Sequence, residues 1–182
     1  MKNIYKIIFS FFILISSLQF NGCDPFEDFL IKLSLDTEFN LTGFGSTVLS
    51  PKNEICLSEF DDYSDNQDEI EEISYITSAY TILSATAGLR GDNLKLRLYQ
   101  NDRTTLLADF DAPNFVAANY IDNPLEIKFT QQEVDNINRY LSNHKINNCF
   151  YAELEISNVQ PSLLPYQLNS KVEFLTELKV KP

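Results

Sequence analysis

The sequence contains no tryptophan, a single histidine and only five glycines among its 182 residues. Without tryptophan it cannot carry the Cys…Trp…Cys pattern of antibody domains. The motifs G-x-S-x-G and H-E-x-x-H and the glycine-rich loops that bind phosphate are absent. One histidine, His144, and the lack of any C-x-x-C do not support a zinc site of ordinary spacing. These absences predict no catalytic residue, no metal and no cofactor.

Basic side chains are also scarce, since 14 Lys and Arg stand against 26 Asp and Glu. Nucleic-acid binding depends on clustered Lys and Arg, so this composition excludes a nucleic-acid partner. An acidic surface is not attracted to anionic lipid either. Contact with a membrane would therefore need an anchor other than surface charge.

The first 22 residues have the pattern of a secretory signal peptide. A basic start precedes the apolar run 7–15, and the small residue Gly22 comes directly before Cys23. An apolar run of about ten residues is too short for a membrane-spanning helix, which needs roughly 20. The segment therefore predicts export of the chain.

The pair Gly22-Cys23 after this run resembles the lipobox of bacterial lipoproteins. The resemblance implies that Cys23 becomes the lipid-modified N-terminus and attaches the protein to a membrane of the cell envelope. The acidic residues at 24–28 resemble the export signals of Bacteroidota surface lipoproteins, which implies the outer membrane or the cell surface. In enteric-type bacteria an aspartate after the cysteine instead indicates inner-membrane retention, so the choice of membrane stays open.

These boundaries divide the chain into a signal peptide (1–22), a lipid-anchored tether (23–28) and one domain (29–182). Lys2 and Lys6 are the charged residues of the signal, so the mature chain has 12 basic and 26 acidic side chains and a net charge of −14. The remaining length is sufficient for a single hydrophobic core.

Alternating apolar and polar residues predict seven β-strands in this domain. They cover residues 29–41, 73–83, 94–99, 106–110, 125–129, 150–156 and 172–180. The run 55–57 is a candidate for a further short strand. Apolar faces on one side of each strand indicate an all-β fold, an antiparallel β-sandwich of immunoglobulin-like architecture, with a barrel as the alternative.

One short helix is predicted between the late strands. Thr130 and Glu133 have the spacing of a capping box, and apolar residues follow at helical spacing. Ser64 and Gln67 have the same spacing and predict a short acidic helical stretch that ends near Glu72.

The long segment 42–72 is a candidate binding loop, with Asp61, Asp62 and Asp65 as its exposed acids. Asp61, Asp65 and Glu72 also occupy the first, fifth and twelfth positions of a calcium loop. However, a tyrosine takes the third position and an asparagine replaces the required glycine. Solvation and capping are therefore the favoured interpretation.

Two further loops are rich in apolar residues, at 111–123 and 160–170. Their aromatic side chains Phe115, Tyr120 and Tyr166 are candidate ligand contacts.

If every connection reverses the chain direction, the loops divide between two ends of the sandwich. The turn 88–92 and the loops 111–123 and 160–170 would share the end at which the anchor enters. The loop 42–72, the turn 100–103 and the helix would share the opposite end.

Cys56 and Cys149 form an even pair once Cys23 is acylated, and exported proteins keep disulfides. The parity argument places both at one end, so we predict that they are bonded. Two free thiols are the alternative.

Anchor, sandwich and long loops together predict a lipid-anchored, non-catalytic binding or interaction module with an unidentified ligand. Its partners would be the membrane and another envelope protein or an extracellular ligand. A structural subunit of an envelope assembly is the alternative, and a hydrolase with a carboxylate site is the third possibility.

Overall fold

A computed structural model describes residues 29–161 and 165–181. The predicted signal peptide, Cys23 and the tether 23–28 lie outside the described residues. The helices found in the described ranges are too short or too polar to cross a membrane.

Nine β-strands and two α-helices make up the described chain. In chain order they are β1 (Phe29–Gly43), β2 (Thr47–Leu49), β3 (Asn53–Cys56), α1 (Asp61–Ser64), β4 (Ile70–Ala85), β5 (Arg90–Tyr99), β6 (Leu106–Val116), β7 (Leu125–Ile127), α2 (Gln131–Leu141), β8 (Cys149–Ser157) and β9 (Tyr166–Val180). Short 3₁₀ turns occupy Leu57–Glu59 and Ala117–Tyr120. Each of the seven predicted strands overlaps one of these strands.

The strands form two sheets with all pairs antiparallel. One sheet has the order β1-β9-β4-β7, and the other has β2 and β3 along one edge, followed by β8, β5 and β6. Because β2 and β3 pair with the same strand in the same direction, they act as one interrupted strand. The eight resulting positions have the order 1-8-3-6 and 2-7-4-5, which is that of a jelly roll. The predicted antiparallel sandwich is confirmed, and its chain connections are those of a jelly roll. The predicted helix between the late strands is α2, and α1 adds a single turn before β4.

The core lies between the two sheets and follows directly from the alternation in the sequence. In β9 every second residue from Tyr166 to Val180 is buried. This strand lies between β1 and β4, so it supplies the middle of its sheet. Two of its buried positions are polar, and at one of them Thr176 donates a hydrogen bond to the carbonyl of Leu33 at 3.1 Å.

The capping box of α2 is present. The side chain of Thr130 accepts from the amide of Glu133, and the Glu133 carboxylate accepts from the amide of Thr130 at 2.8 Å. The helix also protects the edge of β4, because Asn138 Oδ1 accepts from the amide of Tyr75 at 2.8 Å.

The second predicted capping box is wrong. Helix α1 ends at Ser64 instead of beginning there, and Ser64 donates its hydroxyl hydrogen to the carbonyl of Ser58. Strand β4 already begins at Ile70, where it pairs with Val180. Residues 70–72, which the local sequence pattern assigned to a helix, therefore belong to β4, because they pair with the end of β9.

We call the two ends of the sandwich the N-terminal end and the distal end. Phe29 and Ile70 both pair with Val180, which places the start of β1 at the N-terminal end. Residues 57–69, the turn 100–105 and the segments flanking α2 lie at this end. The loops 44–46, 86–89 and 117–124 and the described part of 158–165 lie at the distal end.

This arrangement corrects the predicted position of the anchor. The loops are grouped as expected except for 44–46, which lies at the distal end and not with the rest of 42–72. Phe29 enters beside the acidic segment and α2 instead of beside the turn 88–92. The reason is the interrupted strand β2–β3 within 42–72, which reverses the chain direction once more before the acidic segment begins.

Candidate functional site

Cys56 and Cys149 are cross-strand partners at the N-terminal end, and their Sγ atoms are 2.09 Å apart in a disulfide. The bridge joins the edge strand β3 to β8 across 93 residues of sequence. The carboxylate of Glu54 lies within 4.8 Å of both sulfurs. Bonded sulfurs lack the thiolate charge that a metal requires, so this cluster is not a metal site.

His144 is buried at the same end of the sandwich and is hydrogen-bonded to Tyr63. The Tyr63 hydroxyl lies 2.9 Å from His144 Nδ1, and the two rings meet edge to face at 5.6 Å. Burial lowers the pKa of His144, and the neighbouring Lys145 lowers it further. The hydrogen bond to the Tyr63 hydroxyl leaves Nδ1 engaged and unavailable to a substrate.

The acidic segment 57–72 lies around the same end and contains eight acidic and no basic side chains. The predicted loop acids Asp61, Asp62 and Asp65 are exposed, on α1 and the turn that follows it. Among the residues that the structure describes, no cluster of metal-ligating side chains includes them. The geometry thus gives the calcium pattern no support.

The predicted aromatic ligand contacts are structural instead. Phe115 is fully buried in β6, and Tyr166 is 8% exposed at the start of β9. Tyr120 is half-buried and stacks on Phe115 with ring centroids 5.9 Å apart. The correction arises because β6 and β9 extend beyond their alternating cores into the segments that the sequence assigned to loops.

The outer face of the second sheet carries a ladder of ion pairs. Arg97 on β5 contacts Glu153 at 3.1 Å and Glu155 at 2.7 Å, both on β8. Lys95 contacts Asp111 on β6 at 3.3 Å. These carboxylates are thus paired with cations, which is poor preparation for general acid–base chemistry.

Two tyrosines continue this face toward the N-terminal end. Tyr99 and Tyr151 are cross-strand partners, and a cation covers each ring. Lys52 Nζ lies 3.5 Å from the centroid of the Tyr99 ring, and the guanidinium carbon of Arg103 lies 4.4 Å from that of Tyr151. The Tyr151 hydroxyl donates to Glu54. The aromatic rings on this face are therefore already covered by cationic side chains of the same chain.

The distal end has the opposite character, because it is almost uncharged. Four runs of ten or more residues in 29–181 lack Asp, Glu, Lys and Arg, and each reaches a distal loop. They are 39–51, 73–89, 112–121 and 156–170. Arg90, Asp92 and Asp122 are the charges beside these loops. Phe44 at the tip of the loop 44–46 is 70% exposed, and Ile121 is also exposed.

A shallow polar groove of about 260 Å³ opens beside these loops. It is lined by Arg90, Asp92, Asn114, Asn158 and Gln160, among others. Asn158 donates to Asp92 at 2.5 Å, and the backbones of Arg90 and Gln160 exchange hydrogen bonds of 3.1 and 2.8 Å. The groove is thus a fixed part of the distal surface.

The distal end could have been found in the sequence. The uncharged runs are visible there, but their meaning depends on strand directions that bring all four to one place. The aromatic content of the predicted loops pointed to Phe115 and Tyr166, which are buried, whereas Phe44 in the loop 44–46 is exposed.

No family model matches the chain, and no curated protein matches it. Among solved structures, it is similar to the decameric BFDV capsid protein, at 10% identity and a TM-score of 0.38 over 82% of this chain and 99% of that one. Tobacco necrosis virus has 11% identity and a TM-score of 0.40 over 86% and 97%. Mud crab tombus-like virus has 9% identity and a TM-score of 0.39 over 92% and 98%. Likeness at this level carries no inference about what the chain does.

Proposed function

We propose that the protein is a lipid-anchored, non-catalytic binding module of the bacterial cell envelope. Cys23 is its anchor, and the uncharged distal end is its binding surface. The observation that carries the proposal is the position of Phe29, because the chain enters the sandwich at the end opposite to the distal loops. An anchor attached just before Phe29 directs the distal end away from the membrane.

The length of the tether supports this orientation. Residues 23–28 span at most about 20 Å when fully extended, so the domain stays close to the bilayer. The acidic segment 57–72 lies at the same end and is repelled by anionic headgroups. Attachment at this end therefore depends on the lipid on Cys23 and not on surface charge.

The side chains of the described chain support a non-catalytic role. Its histidine, His144, is bonded to Tyr63 and not to a serine or cysteine nucleophile. The cysteines Cys56 and Cys149 are joined to each other. A structural subunit of an envelope assembly is the second candidate, and the exposed Phe44 favours it because subunit contacts need exposed apolar side chains.

The test is phase partition of the full chain, expressed with its signal. The wild type should enter the detergent phase, and Cys23→Ser should stay in the aqueous phase. The double variant Cys56→Ser/Cys149→Ser is the matched control, because it removes two cysteines and keeps Cys23. Membrane partition of Cys23→Ser would refute the anchor. Turnover of an envelope substrate that one carboxylate substitution abolishes would refute the non-catalytic assignment.

A further inference from the structure

We propose that the distal end is a self-association surface, through which two copies of this chain bind end to end. The inference names a partner for the binding surface of the proposed function and rests on that function for its orientation relative to the membrane.

The distribution of charge favours contact between two copies through the distal end. The chain has a formal net charge of −12, and its N-terminal end carries the eight acids of residues 57–72. Two copies that meet through this end would bring like charges together, which opposes association. At the distal end the four uncharged runs meet, so two copies can approach there without that repulsion. Of the two ends, the distal one is therefore the end at which two copies meet with less repulsion.

The exposed side chains at this end are those of an interface. The cores of protein interfaces are depleted in charged residues and enriched in aromatic ones. Phe44 is flanked by Gly43 and Gly45 and is 70% exposed. Gly45 has φ +108°, a backbone conformation that favours glycine, so the loop turns directly after Phe44.

The distal loops are joined into one surface by backbone hydrogen bonds. The amide of Val159 donates to the carbonyl of Ser46 at 2.8 Å, which connects the loop 44–46 to residues 158–161. The amide of Ala117 donates to the carbonyl of Leu89 at 3.0 Å, which connects the loops 86–89 and 117–124. A surface that is ordered before binding loses little entropy when it binds.

The symmetry of such a contact has a consequence for the anchors. Two identical copies that use the same patch are related by a two-fold axis through the contact. In each copy Phe29 lies at the end away from that axis. The two lipid anchors would therefore lie at opposite ends of the dimer, and a dimer of anchored chains would join two membrane surfaces.

Photo-crosslinking of the full chain, anchored in the envelope of living cells, identifies the partner directly. Phe44 is replaced by photoreactive p-benzoylphenylalanine, and Ile146 is replaced in the same way as a control. Ile146 is 79% exposed but lies at the N-terminal end. We expect an adduct of twice the chain mass from position 44, containing two copies of this chain by mass spectrometry, and none from position 146.

Three outcomes would overturn the inference. An adduct of position 44 with a different protein or with lipid would identify another occupant, and no adduct would show that the surface is unoccupied. An equal dimer adduct from position 146 would show association through another face. As a second measurement, the photoreactive residue is placed at Ile121, which is also exposed at the distal end. Adding Phe44→Asp should abolish the dimer adduct formed from position 121, and adding Ile146→Asp should leave that adduct unchanged. A dimer adduct without lipid on Cys23 would refute the anchor and leave the self-association intact.

Discussion

The hydroxyl of Tyr63 is hydrogen-bonded to Nδ1 of His144 across 81 residues of sequence. Both side chains are buried, so the contact attaches α1 and the acidic segment around it to the loop after α2. Together with the disulfide between Cys56 and Cys149, it fixes the end of the molecule at which the chain enters.

Removing the Tyr63 hydroxyl should destabilise the fold. In Tyr63→Phe the buried Nδ1 of His144 loses its hydrogen-bond partner, and an unsatisfied buried polar atom costs about 1–3 kcal/mol. The free energy of unfolding, measured with urea, should fall by that amount. Tyr120→Phe is the matched control, because that hydroxyl makes no hydrogen bond within the described part of the chain. Equal losses in the two variants would contradict the assigned role.

The same histidine predicts how stability depends on pH. Burial lowers the pKa of His144 below its ordinary value of 6.5, so between these two pKa values the unfolded chain binds more protons than the folded one. Stability should therefore fall as pH decreases from 6.5 through the lowered pKa and level off below it. Urea denaturation between pH 7.5 and pH 5 measures this slope. His144→Gln should lack it, and a slope that persists in this variant would assign the effect to other groups.

The disulfide should contribute strongly to stability. It closes a loop of 93 residues, which corresponds to about 4–5 kcal/mol in the chain-entropy model. We expect reduction, or the double variant Cys56→Ser/Cys149→Ser, to lower the free energy of unfolding by about 2–5 kcal/mol. Mass spectrometry of exported protein under non-reducing conditions should show two hydrogens fewer than the reduced chain. Two alkylatable thiols in native material would disprove the bond.

The strands were predictable because their signal is local. Every second residue of β9 is buried, and the sequence predicted the part of this strand from Val172 to Val180, whereas it assigned the first residues from Tyr166 onward to a loop. β2 has three residues and β3 has four, which is too short for a period of two to show clearly. The candidate strand 55–57 overlaps β3, but β2 was missed and neither strand entered the count of chain reversals. This omission inverts the end at which Phe29 enters.

The candidate surface was less predictable than the fold. Burial of Phe115 and exposure of Phe44 depend on where β1 and β6 end, and propensity does not fix strand ends to within a residue or two. The pairing of Cys56 with Cys149 depends on β3 lying beside β8, which is a long-range contact. Sequence parity placed both cysteines at one end but could not supply that contact.

Gly91 should tolerate no side chain, although the sequence explains it as a turn residue. It lies within β5, where an added Cβ would meet Ile156 Cγ2 at 2.5 Å and the carbonyl oxygen of Ser157 at 2.7 Å. Gly91→Ala should therefore cost about 1–3 kcal/mol of unfolding free energy, as overpacking of a closed contact does. Ala87→Ser, at an exposed position in the preceding turn, should change stability by less than about 0.5 kcal/mol. A neutral Gly91→Ala would mean that β8 moves aside without cost.

End-to-end dimers of the lipid-anchored chain should hold two membranes together. Neutral phosphatidylcholine vesicles that carry the purified lipidated chain should aggregate, because end-to-end dimers place their anchors on two different vesicles. Light scattering should rise with the density of protein on the vesicles. Phe44→Asp places an unpaired charge in the contact, and the cost of burying it should raise the protein density needed for aggregation at least about tenfold. Ile146→Asp, which adds the same charge at the N-terminal end, should aggregate vesicles as the wild type does. If Phe44→Asp vesicles aggregate equally well, or if wild-type vesicles stay dispersed, two anchored copies do not meet through their distal ends.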